Sequence, residues 1–147
     1  MTVKAIPEGY HTVNPYLTVE GADKFIDFLK QAFDAELVER FPSPDGKVGH
    51  AEVRIGDSII MLGDAGAECK ATSTAIYLYV EDTDATYKRA LDAGAVSLTE
   101  PADQFYGDRN ANVKDSFGNL WFIATRVENI TPEELKERAE AAMKQRA

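Results

Sequence analysis

The chain has 147 residues, 44% of them hydrophobic, and a formal charge of −9 from 25 acidic against 16 basic residues. That balance argues against nucleic acid and anionic membrane as main partners, and no apolar run approaches the ~18 residues of a membrane span. The length fits one domain, or two small modules sharing a core, and the single cysteine, Cys69, fits a reducing cytoplasm.

Residues Met1 to Tyr10 read as a short irregular lead with no leader signal. From Thr12 to Glu20 apolar and polar residues alternate, which predicts a strand. Pro15 cannot donate to a ladder, so that strand belongs at an edge or is irregular there. Ala22 to Phe33 changes period: Ala22, Phe25, Ile26, Leu29, Ala32 and Phe33 recur at three and four residues, as on one stripe of a helix. Ala35 to Phe41 reads as a second strand, and Pro42 to Gly46 as a loop. Val48 to Ile55 and Ser58 to Leu62 form a hairpin around Gly56-Asp57, with His50, Glu52 and Arg54 on one face of the first arm. Gly63 to Thr74, rich in small residues, reads as a linker.

The chain then repeats. Shifting Tyr16–Glu39 forward by 61 positions gives eight identities in 24 positions, from Tyr16 on Tyr77 to Glu39 on Glu100. Each half is a strand, a covering helix and a three-stranded meander, too small to bury its apolar face alone. The second helix spans about Asp84 to Ala93 and stops at Gly94. Tyr106 onward is the counterpart of the Val48 hairpin. Its two arms meet at Asp115–Asn119, where Gly118 and Asn119 both tolerate positive φ. Thr131-Pro132-Glu133-Glu134 is a capping box that opens a helix with a thin apolar stripe of Leu135, Ala139, Ala142 and Met143. That helix either lies on its own domain or crosses to a second subunit.

Two βαβββ halves and the ending Asp115-Ser116-Phe117-Gly118-Asn119-Leu120-Trp121 resemble the vicinal oxygen chelate superfamily, which includes glyoxalase I, bleomycin-resistance proteins and extradiol dioxygenases. Gly49 to Asp57 paired with Tyr106-Gly107-Asp108-Arg109 resembles its PhnB-like branch. The resemblance runs from about Thr12 to Val127. It implies an α+β fold in which two βαβββ modules form a curved mixed sheet with a concave cleft. The expected organisation is a domain over 1–130, with modules at about 12–63 and 75–127, then a C-terminal helix over 131–147.

Transferred to this chain, the resemblance turns Asn14, Tyr16, His50, Glu52, Arg54, Tyr77, Asn112 and Lys114 toward the cleft. The four positions that hold the superfamily's divalent metal fall on Asn14, Met61, Ala75 and Phe122. These offer a weak amide oxygen, a soft thioether and two side chains without a donor, so neither metal nor other cofactor is expected. His50 and Glu52 are the candidate catalytic pair, because a histidine oriented by a carboxylate serves as acid or base near neutrality. Asn14, Tyr16, Arg54, Tyr77, Tyr106, Arg109 and Asn112 are candidate ligand contacts, Arg54 and Arg109 as paired donors to an anion. The leading expectation is a cytoplasmic homodimer that binds a small molecule without metal. The alternative is a lyase, isomerase or transferase of the same superfamily that uses His50 or an atypical metal site, and a third is a scaffold that serves only as a partner surface.

Overall fold

The computed structural model describes residues 2–146. Its elements run β1 (Tyr16–Val19), α1 (Ala22–Phe33), β2 (Glu36–Pro42), β3 (Val48–Ile55) and β4 (Ser58–Asp64). They repeat as β5 (Ala75–Tyr79), α2 (Thr83–Asp92), β6 (Val96–Asp103), β7 (Asp108–Lys114) and β8 (Leu120–Arg126), followed by α3 (Pro132–Arg146). Each module forms its own four-stranded mixed sheet, β1-β4-β3-β2 and β5-β8-β7-β6, with one parallel pair at the β1 or β5 edge.

β1 is shorter than the alternation over Thr12–Glu20 predicts. The ladder begins only after Pro15, which lacks an N–H, although its carbonyl still accepts from the Met61 backbone at 2.9 Å. β1 is an edge strand, as a proline at its start requires. The turn between β7 and β8 holds a second difference. Only Gly118 takes positive φ, at 88°, whereas Asn119 is fully buried and its side-chain oxygen accepts from the Thr74 backbone.

α1 forms where the apolar stripe predicts it. The Asp64 carboxylate accepts from Gly21 N and Ala22 N at 3.1 and 2.9 Å and from Val48 N at 2.8 Å. One side chain thus satisfies two orphan donors at the helix start and ties them to β3. Phe25, Phe28, Leu29 and Phe33 of α1 are buried, each contributing roughly 2 kcal/mol of transfer free energy. The helix serves both modules. Phe33 packs on Trp121 of β8 with centroids 4.6 Å apart, and Phe25 on Phe117 at 5.0 Å. A single apolar cluster therefore runs through both halves.

The pairing register carries the repeat into the strands where identities fade. Tyr16 pairs with Met61 and Met61 with Glu52, while Tyr77 pairs with Phe122 and Phe122 with Asn112. Glu52 and Asn112 are therefore structural equivalents, and by the two-residue period so are His50 and Asn110, and Arg54 and Lys114. α3 buries none of its residues and is tied back through Arg138, which donates to Phe105 O, Glu128 and Glu134.

Candidate functional site

Each sheet has one face against helices and one open face. On the first sheet the open face carries a His–carboxylate pair: His50 Nε2 lies 2.8 Å from Glu52 Oε2. A carboxylate only accepts, so Nε2 carries the proton and Nδ1 is left as an acceptor, 3.5 Å from the Tyr16 hydroxyl. The other Glu52 oxygen accepts from the Tyr10 hydroxyl. The bond from His50, then that from Tyr10, hold the Glu52 carboxyl below the usual range against the opposing push of burial. Its bond to Glu52 raises the Tyr10 phenol in turn.

Tyr10 reaches Glu52 because the lead folds over this face. His11 Nε2 contacts Asp57 O at 2.9 Å, and the Asn14 amide donates to His11 O at 2.8 Å. Asn14 therefore fastens the lead, which the sequence presents as merely irregular. Arg54 stands half-exposed on the same sheet face, 3.8 Å from Glu36.

The open face of the second sheet is built on a buried carboxylate. Asp108, 2% exposed, accepts at one oxygen from the hydroxyls of Tyr77 and Tyr79, at 2.7 and 2.8 Å. Its other oxygen has no hydrogen-bond partner; Arg126 Nε stands 3.5 Å away and supplies charge rather than a bond. The Asn110 amide donates to the Tyr106 hydroxyl at 2.6 Å and to that of Tyr77 at 3.3 Å. Burial first, then the Asp108 contact, raise the Tyr77 phenol above its ordinary value. Tyr79 is raised chiefly by its bond to Asp108. Both hydroxyls stay protonated. Tyr77 also stacks on Phe122, centroids 5.7 Å apart at 16°, and leans on Tyr79 at 5.3 Å. The buried Asn112 side-chain oxygen beside this wall has no partner.

Arg109 is a correction. β7 begins at Asp108, so strand parity turns Asp108, Asn110 and Asn112 to the open face and Arg109 to the helix side. There Arg109 pairs with Asp84 of α2 at 2.8 Å and with Asp103 at 3.2 Å. It is a clamp between helix and sheet, with its donors already committed. Asp108, Asn110 and Tyr79 are the residues that sequence reasoning left out of the site, and the alternation that selects Asn112 and Lys114 would have found the first two.

The superfamily's metal positions do not fit a divalent ion here. Both ends of the Asn14 amide are engaged with His11, Met61 offers a thioether, and Ala75 and Phe122 have no donor. Among the described residues no three His, Cys, Asp or Glu side chains group as ligands. A cavity of about 760 Å³ lies instead at the seam between the modules. It runs from the Gly56–Ser58 turn along β5, past Tyr77 and Tyr79, to the start of α2. Its rim carries Asp57, Glu81 and Asp82, and its one arginine, Arg89, is held by Asp34.

Comparison with known proteins agrees with this architecture. Residues 10–123 match the family model described as Glyoxalase/Bleomycin resistance protein/Dioxygenase superfamily. An uncharacterized protein of Mycobacterium bovis is 38% identical over 135 residues, spanning 84% of this chain and 89% of that protein. Among solved structures, TioX from Micromonospora sp. ML1 superposes with a TM-score of 0.65 at 25% identity, covering 82% of this chain and 100% of that one. A PhnB protein from Bacillus cereus shares the fold, with a TM-score of 0.64 at 19% identity over 78% of this chain and 99% of its own. With the duplicated βαβββ frame, its strand register and a family match over most of its length, the chain belongs to the glyoxalase/bleomycin resistance protein/dioxygenase superfamily.

Proposed function

We propose that the protein binds a small organic molecule against its open sheet faces, without the superfamily's divalent ion. The observation that carries this reading is the second sheet's face. It combines stacked aromatic rings with buried polar atoms that the chain itself leaves without partners, Asp108 Oδ1 and Asn112 Oδ1. Folded chains pair such atoms when they can, and an unpaired one costs about 1–3 kcal/mol. Aromatic walls with a few convergent polar groups are the common make-up of small-molecule sites.

A homodimer suits the same surface, because a partner copy would shelter Tyr16, Phe41, Tyr77 and Tyr79, which this chain leaves exposed. The fold shared with a PhnB protein supports a place near that branch, and a lone exposed Cys69 suits a reducing cytoplasm. No helix among the described residues is long and apolar enough to cross a membrane.

The test is a thermal-shift screen of a chemically broad library, repeated on Tyr77→Ala and His50→Ala. Hits that stabilise the parent and lose their effect in either variant support the reading. Hits that shift all three alike place binding elsewhere and remove it.

The His50–Glu52 pair favours a second reading. Glu52 fixes the tautomer, so Nδ1 faces the open side as a base, the arrangement needed to take a proton from a bound substrate. A metabolite extract incubated with parent or His50→Ala protein and compared by mass spectrometry checks it. A species consumed only by the parent supports catalysis, and identical extracts discard it.

A further inference from the structure

The second sheet's polar network has a direction. Both Tyr77 and Tyr79 spend their hydroxyl protons on the same Asp108 oxygen. Each phenolic oxygen can then only accept from anything outside, and donating to a carboxylate makes it a better acceptor. Tyr77 still has room for one more donor beside Asn110. Apart from Arg126, which stands beside Asp108 and donates to Tyr106 O at 2.8 Å, the groups around this pair have the same sense. The Asn112 side-chain oxygen is an acceptor without a donor. The adjoining seam cavity is rimmed by the Asp57, Glu81 and Asp82 carboxylates, with Arg89 already bound to Asp34.

Building on the proposed binding role, we propose that this face and the seam beside it select flat aromatic ligands that carry an N–H or O–H donor. They would reject anionic ones, with Asp108 as the positioning residue that turns the two tyrosine hydroxyls inward. The preference arises from the Asp108 oxygen that the two hydroxyls hold, which the ligand does not touch. Substituting Asp108 should therefore change what is bound rather than merely how tightly.

The experiment measures binding of three matched probes by calorimetry: 2-naphthol, 2-methoxynaphthalene, which has the same rings without a donor, and 2-naphthoate, which is an anion. The parent protein should prefer 2-naphthol over 2-methoxynaphthalene by about five- to tenfold, the worth of one hydrogen bond, and 2-naphthoate should bind weakest. In Asp108→Asn the amide carbonyl should take the side that faces the Arg126 guanidinium, which turns the NH2 toward the two hydroxyls and their protons outward. The preference should then fall to within about twofold while the ring system still binds. Tyr79→Phe removes one acceptor, leaves Asp108 ionised with its Tyr77 bond, and should lower the preference in the same direction, which keeps the test decisive if Asp108→Asn folds poorly. Equal affinity of the parent for 2-naphthol and 2-methoxynaphthalene, or an unchanged preference in both variants, overturns this inference and leaves small-molecule binding standing. Failure of all three probes to bind overturns it as well, and the broad thermal-shift screen then decides the binding role separately.

Discussion

The two modules share a frame and differ in what they put on it. α1 buries seven of its residues, four of them Phe or Leu, whereas α2 buries only Thr83 and Ala90. The second helix is held by polar ties instead: Thr83 Oγ1 donates to Arg109 O at 2.9 Å, and Asp84 holds the Arg109 side chain. The open faces diverge just as far. His50 and Glu52 stand in the first sheet where Asn110 and Asn112 stand in the second. Once the duplicated halves shared one core through α1, the first half could carry most of the apolar burial, and each exposed face was free to acquire its own polar chemistry.

The strongest way to break this asymmetry is to empty the shared helix. Phe25→Ala removes a fully buried ring that contacts Phe117 of the other module. It should cost about 3–5 kcal/mol in denaturant unfolding and lower both modules in one transition. Separate transitions would show that the halves are independent.

Next comes Asp115→Ala in the second module. That buried carboxylate accepts from Phe117 N, Asn119 N and the Trp121 indole, all within 2.9 Å. Leaving these donors without a partner should cost about 2–3 kcal/mol by the same measurement. The first module's hairpin has an exposed Gly56-Asp57 turn, so Asp57→Ala should cost far less.

A third test is pH-dependent and belongs to the first face. Because Glu52 is held below its ordinary pKa of 4.5 in the folded protein, the unfolded chain binds its proton more tightly. The resulting stability is fully present above that ordinary value and is lost as pH falls through the lower, folded one. Glu52→Gln should therefore flatten the acid limb of the stability profile below the ordinary carboxyl value of 4.5. An unchanged limb would show that the Tyr10 and His50 contacts do not hold the carboxyl down.

The smallest expected effect is that of Arg109→Ala. Its partners Asp84 and Asp103 are largely exposed, so stability in denaturant unfolding should fall only slightly, by less than in any variant above. Ligand affinity should not change, since the side chain lies on the helix side. A large loss of affinity would return Arg109 to the site.

Legibility in the sequence followed periodicity. α1 over Ala22–Phe33 buries its whole apolar stripe and Phe28 besides, and the shift of 61 positions reappears as the pairings of Tyr16 with Met61 and Tyr77 with Phe122. Strand alternation grouped His50 with Glu52 on one face, and the resemblance chose the open side for them and for Tyr77 and Asn112. Arg109 was misplaced because it was chosen for its paired donors rather than for its place in the alternation, and one strand position decides the face. Tyr10 had no periodic signal to reveal it. Its partner Glu52 lies 42 residues away, and a segment without regular structure announces nothing about where it will settle. Alternation reaches Asp108 as a member of the open face, but its role depends on two tyrosines brought in from β5.

The helix–ring contacts that join Phe33 to Trp121 and Phe25 to Phe117 make the segment after β4 a place to divide the protein. Residues Gly66 to Thr72 are mostly exposed, so a nick there would sever no core contact. The two fragments would each present half of a sticky apolar seam and should reassociate when mixed. Such a split pair, with a reporter piece fused to each fragment, would turn ligand-assisted reunion into a signal.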